Sequence, residues 1–281
     1  LFRMNQKIKE KTNRPIITIV HHLRCSELRS RFMNNVYRRV ESSYLSMIDG
    51  MIFNSNTTRK VVRSLDLRAR PGVVAHPGRD EIRNGIDDDF IIGRSDSKGP
   101  LRVLFVGSVI PRKELHTLVE ALSALPHQDW RLDIVGSFNT DRSYSRLIMK
   151  LINDKGIKDS VRILGPLDPK DLLSCYRENH VLAVPSSYEG FGIVYLEAMG
   201  FGLPSIASNV GAAHEIVTDR MNGFLVNPGD VAAIRDRLDS LNKDRTKLAK
   251  MGMAALHRYR VHPTWEQSAG KALEFVREMV S

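Results

Sequence analysis

The stretch PSSYEGFGIVYLEAMGFGLPSIA, Pro185 to Ala207, sets the reading of the whole chain. Before it, the segment His180 to Val184, apolar from Val181 on, has the length and composition of a buried strand and stops at Pro185. The loop that follows carries Glu189, and Gly190 and Gly192 let backbone come close to a ligand. A helix is predicted from Ile193 to Met199, then a Gly-Leu-Pro turn and a strand from Pro204 to Ala207. The unpaired N–H groups at Phe191, Gly192, Ile193 and Val194, with the positive end of the helix dipole, suit a phosphate. Glu197 follows Glu189 by eight residues, and its carboxylate can accept from two neighbouring hydroxyls of a ribose. Two carboxylates beside a phosphate site would repel the phosphate unless they face sugar hydroxyls, so the pattern favours a nucleotide sugar over bare phosphate.

Upstream, VLFVGSVIPRKELHTLVEAL, Val103 to Leu122, repeats the order of strand, turn and helix. Its strand ends at Gly107, and Arg112 and Lys113 stand where the next helix starts. A cation there opposes the helix dipole by up to about 1 kcal/mol, so the pair implies a bound anion. Around these two motifs strand and helix alternate. Strand Leu101 to Val106 leads to a helix ending at Leu125, strand Arg131 to Val135 to helix Ser143 to Lys155, and strand Val161 to Leu164 to helix Lys170 to Arg177. Three further helical stretches follow Ala207. This is the rhythm of a doubly wound α/β domain with a parallel sheet, whose ligands gather at the carboxyl ends of the strands.

The front of the chain has the same rhythm in fewer units. A strand from Ile16 to Val20 ends at His21 and His22. Leu28, Phe32, Val36, Val40 and Tyr44 then recur every four residues as an amphipathic stripe, with Arg29, Arg31, Arg38 and Arg39 off it. Strand Met51 to Asn54, a helix through Leu65 with Ser55 or Thr57 as N-cap, and strand Val73 to His76 complete the series. Residues 80–100, rich in Asp, Gly, Ser and Arg with little periodicity, read as a linker. The run Asp87-Asp88-Asp89 contains the DxD spacing that can hold a divalent cation. Within a linker, away from the phosphate motifs, it reads as solvated charge.

Composition narrows the classes further. At 281 residues and 42% hydrophobic, the chain can bury one large core or two smaller ones. Its apolar runs are strand-sized, far short of the roughly 20 residues of a bilayer span. Cys25 and Cys175 are the two cysteines, without metal spacing, which fits a reducing compartment. The cytoplasm is therefore the expected address. Of the net +10, +7 falls in the segment up to Asp96, a charge that draws phosphorylated ligands, anionic headgroups or nucleic acid. The chain opens with Leu, which implies further sequence upstream.

The run EGFG to LEAM, followed by Gly-Leu-Pro and a β-run, resembles the Glu-x7-Glu signature of the retaining GT-B glycosyltransferases of family 4. The resemblance implies two Rossmann-like domains with parallel sheets, the first of them incomplete here. It also implies that Glu189 contacts the donor sugar, that Glu197 holds the ribose, and that the backbone after Leu164 holds the base. In the family an Arg directly after the strand glycine and a Lys at the helix start bind the donor diphosphate. Lys113 matches, whereas Ser108 occupies the Arg position and Glu114 the position of a Gly, so Arg112 is expected to supply the missing charge. His21 matches a strand-end histidine that faces the donor phosphate and the acceptor, and His22 stands where an acidic residue is frequent. ASNVGAAHEIV, with Glu215, and a last helix with Trp265 crossing back to the first domain also fit.

The expected organisation is residues 1–80 as a partial acceptor-side domain, 81–100 as linker, 101–255 as the nucleotide-sugar domain and 256–281 as the returning helix. Such an enzyme would move a hexosyl group from a UDP- or GDP-sugar to a hydroxyl of a carbohydrate or lipid-linked acceptor, with retention and without metal or cofactor. Its expected setting is peripheral, at an anionic membrane face. Two rivals stand beside it: a GT-B sugar-nucleotide epimerase, and a non-enzymatic basic nucleic-acid-binding protein. The second lacks aromatic interleaving or any nucleic-acid-reading motif. No GxGxxG or P-loop pattern occurs.

Overall fold

The computed structural model describes residues 12, 14–28, 30–65, 70–80 and 85–281. Arg29, and all of the opening segment before Thr12, lie outside them. The chain divides into two compact units. One takes the described residues of Leu1–Glu81 with Tyr188–Phe191 and His262–Ser281, the other those of Ile82–Ser187 with Gly192–Val261.

In the first unit β1 (Ile17–Val20), β2 (Gly50–Phe53) and β3 (Gly72–Val74) form a parallel three-stranded sheet in that order. Its core gathers Val20, Leu23 and Leu45 with Ile48, Met51 and Phe53. Helix α1 (Arg31–Leu45) is capped by Ser30, and α2 (Asn56–Leu65) starts after Ser55, whose Oγ accepts from the Thr58 N–H at 3.0 Å. The final helix, Trp265–Val280, packs Phe275 against β2, close enough that a Cβ on Gly50 would stand 3.0 Å from its ring. Just before that helix, the Arg79 N–H donates to the Pro263 carbonyl and Arg79 Nε to that of His262, at 2.8 and 3.0 Å.

Helix α1 corrects one expectation. The helix forms, yet Phe32 and Val40 of the stripe are 75% and 62% exposed, and Leu28 lies outside the helix. Tyr44 and Leu45 at its carboxyl end pack in the core, and polar bonds hold the rest. Glu41 accepts the N–H groups of Arg24 and Cys25, and Asn34 donates to the Glu27 carbonyl. Hydrophobic periodicity fixes the helix but not the face that the first unit covers.

The second unit holds a six-stranded parallel sheet. Its strands are β4 (Leu101–Val106), β5 (Trp130–Val135), β6 (Val161–Gly165), β7 (Val181–Val184), β8 (Ser205–Ser208) and β9 (Gly223–Val226), in the order β6-β5-β4-β7-β8-β9. Strand β9, only GFLV, carries too little periodicity to be expected from sequence. Residues 81–100 are not simply a linker, because they contain helix α3 (Asp88–Ser95). Asp87 caps it by accepting from the Phe90 N–H at 2.8 Å, and Asp88 and Asp89 sit in its first turn, where their negative charge is favourable at the positive dipole end. The acidic run is thus a helix start. The remaining helices are α4 (Leu115–Ser123), α5 (Arg142–Asp154), α6 (Pro169–Glu178), α7 (Ile193–Gly200), α8 (Val231–Lys243) and α9 (Arg245–Arg260). No helix among the described residues is long and apolar enough to cross a membrane.

His180, entering β7, is buried with its Nδ1 accepting from the Arg102 N–H and its Nε2 facing the Arg94 carbonyl, both at 3.0 Å. Burial first, then Arg102, Arg245 and Arg94, push its pKa down to about 3. The unfolded chain protonates this histidine near pH 6.5 and the folded chain does not, so stability is complete above about 6.5 and falls as the pH drops below it. The expected loss by pH 5 is about 2 kcal/mol. Chemical denaturation at pH 7 and pH 5 checks this: His180→Gln should have the shallower pH slope, and equal slopes would refute it.

Candidate active site

The strand order of the second unit places its switch point between β4 and β7: the chain runs outward through β5 and β6, then returns to the other side of β4. Ligands of doubly wound sheets bind at the carboxyl ends of the strands flanking such a point. The two motifs singled out in the sequence leave from those two strands, one from β4 at Gly107 and the other from β7 at Pro185.

Glycine ends three adjacent strands. Gly107, Gly136 and Gly165 all have positive φ, and the Gly136 N–H donates to the Gly165 carbonyl at 2.9 Å. A Cβ on Gly136 would lie 2.0 Å from the Gly107 carbonyl oxygen. A side chain is therefore excluded at Gly136, and Leu164 and Gly165 present backbone at the end of β6, with open space beside the Gly165 Cα.

Arg112 and Lys113 sit in a 3-10 turn, Pro111–Lys113, one residue before α4 rather than inside its first turn. The Lys113 side chain lies back over the end of β4, its Cε 3.3 Å from where a Gly107 Cβ would be. The Arg112 carbonyl accepts from the N–H of Ser187 at 2.8 Å, tying this turn to the loop after β7. Ser108 is exposed. Glu114 is left-handed, with φ 55° and ψ 32°, where the family resemblance has glycine. A side chain in that region costs about 1 kcal/mol relative to glycine. The Glu114 carboxylate accepts from Thr117 Oγ1, a local bond that offsets part of the strain.

Gly192, with φ 89°, is the N-cap of α7, and Ile193 begins the helix. Glu197 lies in the helix, half-buried, and its Oε2 accepts from the Tyr176 hydroxyl at 2.8 Å. Tyr176 comes from α6, 21 residues earlier, so no local pattern in the sequence announces the pair.

Phe191, Glu189 and His21 belong to the first unit. There the loop Tyr188–Phe191 is held along its length. The Tyr188 ring lies 5.0 Å from that of His22, and Phe191 lies 5.9 Å from both His76 and His262. Gly190 rests on β1's end, where a Cβ would stand 2.3 Å from the His21 carbonyl oxygen. That same carbonyl accepts from Asn54 Nδ2 at 2.8 Å. Glu189 is buried, while the His21 side chain is exposed. His22 Nε2 lies 2.7 Å from Glu27 Oε1, so an acidic partner is present although the neighbouring residue is not acidic. Asn54, Tyr188, His22 and His262 are positions that sequence reasoning did not assign to the site.

Comparison with known proteins bears on this architecture. The sequence profile of the family described as Glycosyl transferases group 1 matches residues 87–258. The D-inositol 3-phosphate glycosyltransferase of Xylanimonas cellulosilytica is 34% identical over 175 residues, covering 61% of this chain and 41% of that protein. The chain thus spans about two fifths of the length of the curated relatives it matches. Among solved structures, sucrose-phosphate synthase from Thermosynechococcus elongatus superposes with a TM-score of 0.84 at 25% identity, over 99% of this chain and 71% of its own. HepE of Anabaena, solved with UDP and glucose, gives 0.81 at 21% identity, over 98% and 75%. With its parallel α/β sheets of GT-B type, the chain belongs to the glycosyl transferases group 1.

Proposed function

We propose that the chain carries the donor site of a retaining hexosyltransferase that uses a nucleoside diphosphate sugar, UDP- or GDP-linked, and a hydroxyl of a carbohydrate or lipid-linked acceptor. The observation that carries the reading is the convergence at one switch point. The turn after β4 folds Lys113 over Gly107, and the helix entered from β7 carries Glu197. The solved relative with bound UDP and glucose supports the ligand class.

In this reading Lys113 and Arg112, with Ser108 and the amino end of α7 at Phe191, Gly192 and Ile193, bind the diphosphate. Glu197 takes the ribose hydroxyls and the Leu164 backbone the base. Glu189 holds the donor sugar, and His21 serves the acceptor side. The bond between the anomeric carbon and the diphosphate breaks and the bond to the acceptor oxygen forms on the same face. The departing phosphate oxygen takes the acceptor proton. A preorganised positive site stabilises that leaving group without reorganising. The basic charge, net +10, suits work at an anionic membrane surface from the cytoplasmic side.

Thermal unfolding with added ligands tests the proposal, because a ligand of the folded state alone raises the midpoint. Uridine or guanosine diphosphate should stabilise the chain more than inorganic phosphate at equal ionic strength. Lys113→Ala and Arg112→Ala should each weaken diphosphate binding about tenfold or more, since a charge-assisted hydrogen bond is worth about 1.5–3 kcal/mol. Uridine without phosphates should be indifferent to both. Equal stabilisation by phosphate and by the nucleotides would refute the donor site. An Arg112→Ala chain with unchanged affinity would refute the substituted arginine.

A further inference from the structure

The proposed donor site leaves one interaction without a role, the hydrogen bond from Tyr176 to Glu197. Tyr176 is 1% exposed, its ring stacked on Phe201 with centroids 5.5 Å apart and planes 19° apart. Phe201 is the C-cap of α7, the helix that carries Glu197. The tyrosine is therefore fixed at its ring by the end of α7 and reaches Glu197 Oε2 from α6 at 2.8 Å.

A half-buried carboxylate on a flexible two-carbon stem has several rotamers. An aromatic donor in a single packed position holds one oxygen and so sets the plane of the carboxylate. Burial, then the charge of Glu197, pushes the Tyr176 phenol well above its ordinary pKa. The hydroxyl therefore keeps its proton and can only donate to the carboxylate at neutral pH. A neutral partner of this kind leaves Glu197 its charge, unlike a Lys or Arg, which would spend that charge in an ion pair.

We infer that Tyr176 is a positioning residue for nucleotide recognition: its hydroxyl locks the Glu197 carboxylate in the orientation that accepts a vicinal ribose diol. This rests on the reading of Glu197 as the ribose ligand. The two hydroxyls of a diol are fixed relative to one another, so bidentate acceptance requires a carboxylate plane set in advance.

The test is calorimetric titration of the intact chain with uridine diphosphate, with its 2′,3′-dideoxy analogue and with inorganic pyrophosphate. Tyr176→Phe keeps the stacked ring and removes only the hydroxyl. It should weaken uridine diphosphate about tenfold and leave the dideoxy analogue and pyrophosphate as in the wild type. In the Glu197→Ala background it should have no further effect, because a positioning residue acts through its partner. Tyr176→Phe without effect, where Glu197→Ala weakens uridine diphosphate, overturns the inference alone. A uniform loss across all three ligands overturns it also, since that marks a general disturbance of the fold. Glu197→Ala without effect removes the ribose reading and the inference with it.

Discussion

Glu197→Ala should bind uridine diphosphate at least about a hundredfold more weakly than the wild type. A carboxylate accepting two ribose hydroxyls makes two charge-assisted bonds of about 1.5–3 kcal/mol each, and every 1.36 kcal/mol is a decade in affinity. The fold should tolerate the change. Glu197 is half-buried, and the structural bond it loses, from Tyr176, is worth about 1.5–3 kcal/mol, less than the stability of an ordinary domain. Affinity for pyrophosphate should hold, because the cations assigned to the diphosphate lie in another turn, Pro111–Lys113. Titration of both ligands decides the matter. A change of less than threefold for uridine diphosphate would mean that Glu197 does not touch the ribose.

Gly136→Ala should lower the stability of the second unit by about 3 kcal/mol or more, a size reserved for a few mechanisms such as backbone strain and overpacking. Gly136 has φ 144°, and its new Cβ would stand 2.0 Å from the Gly107 carbonyl oxygen and 2.6 Å from its carbon. Those atoms are backbone of the adjoining strand end, so no rotamer change relieves the clash. Gly165→Ala provides the control. It too has a positive φ, 69°, but nothing lies within 4 Å of its Cβ, so only the conformational cost of about 1 kcal/mol remains. Urea unfolding of the two variants should separate them clearly. Comparable losses would show that the close approach of the strand ends is not what requires glycine at 136.

The α/β order of the second unit was legible because each strand is an apolar run followed by an amphipathic helix, a signal that survives errors of a residue or two at the ends. The turns after β4 and β7 stood out for another reason: glycines and cations at a strand end are costly unless they meet something. What escaped notice was set by tertiary context. The run Asp87-Asp88-Asp89 has the composition of a loop, and only the bond from the Phe90 N–H to Asp87 makes it a helix start. Strand β9 takes its identity from pairing with β8 and not from its own four residues. The departure of Glu114 from the family pattern was visible as a letter, while its left-handed backbone, the reason glycine suits the position, was not. The partners of Glu197 and His21 come from elements 21 and 33 residues away, Tyr176 and Asn54, at separations where no local periodicity operates.

The packing of Phe275 against Gly50 sets an order on the birth of the molecule. Synthesis proceeds from the amino end, and domains tend to fold as they emerge. The three strands of the first unit leave the ribosome before the helix Trp265–Val280 and the Tyr188–Phe191 loop, the segments that complete their unit. The second unit, by contrast, has its own residues in hand once Val261 has been added. Of the two units, the one whose strands come first along the chain thus gathers its last residues after the other, and until then β1 to β3 must persist without the residues that cover Gly50.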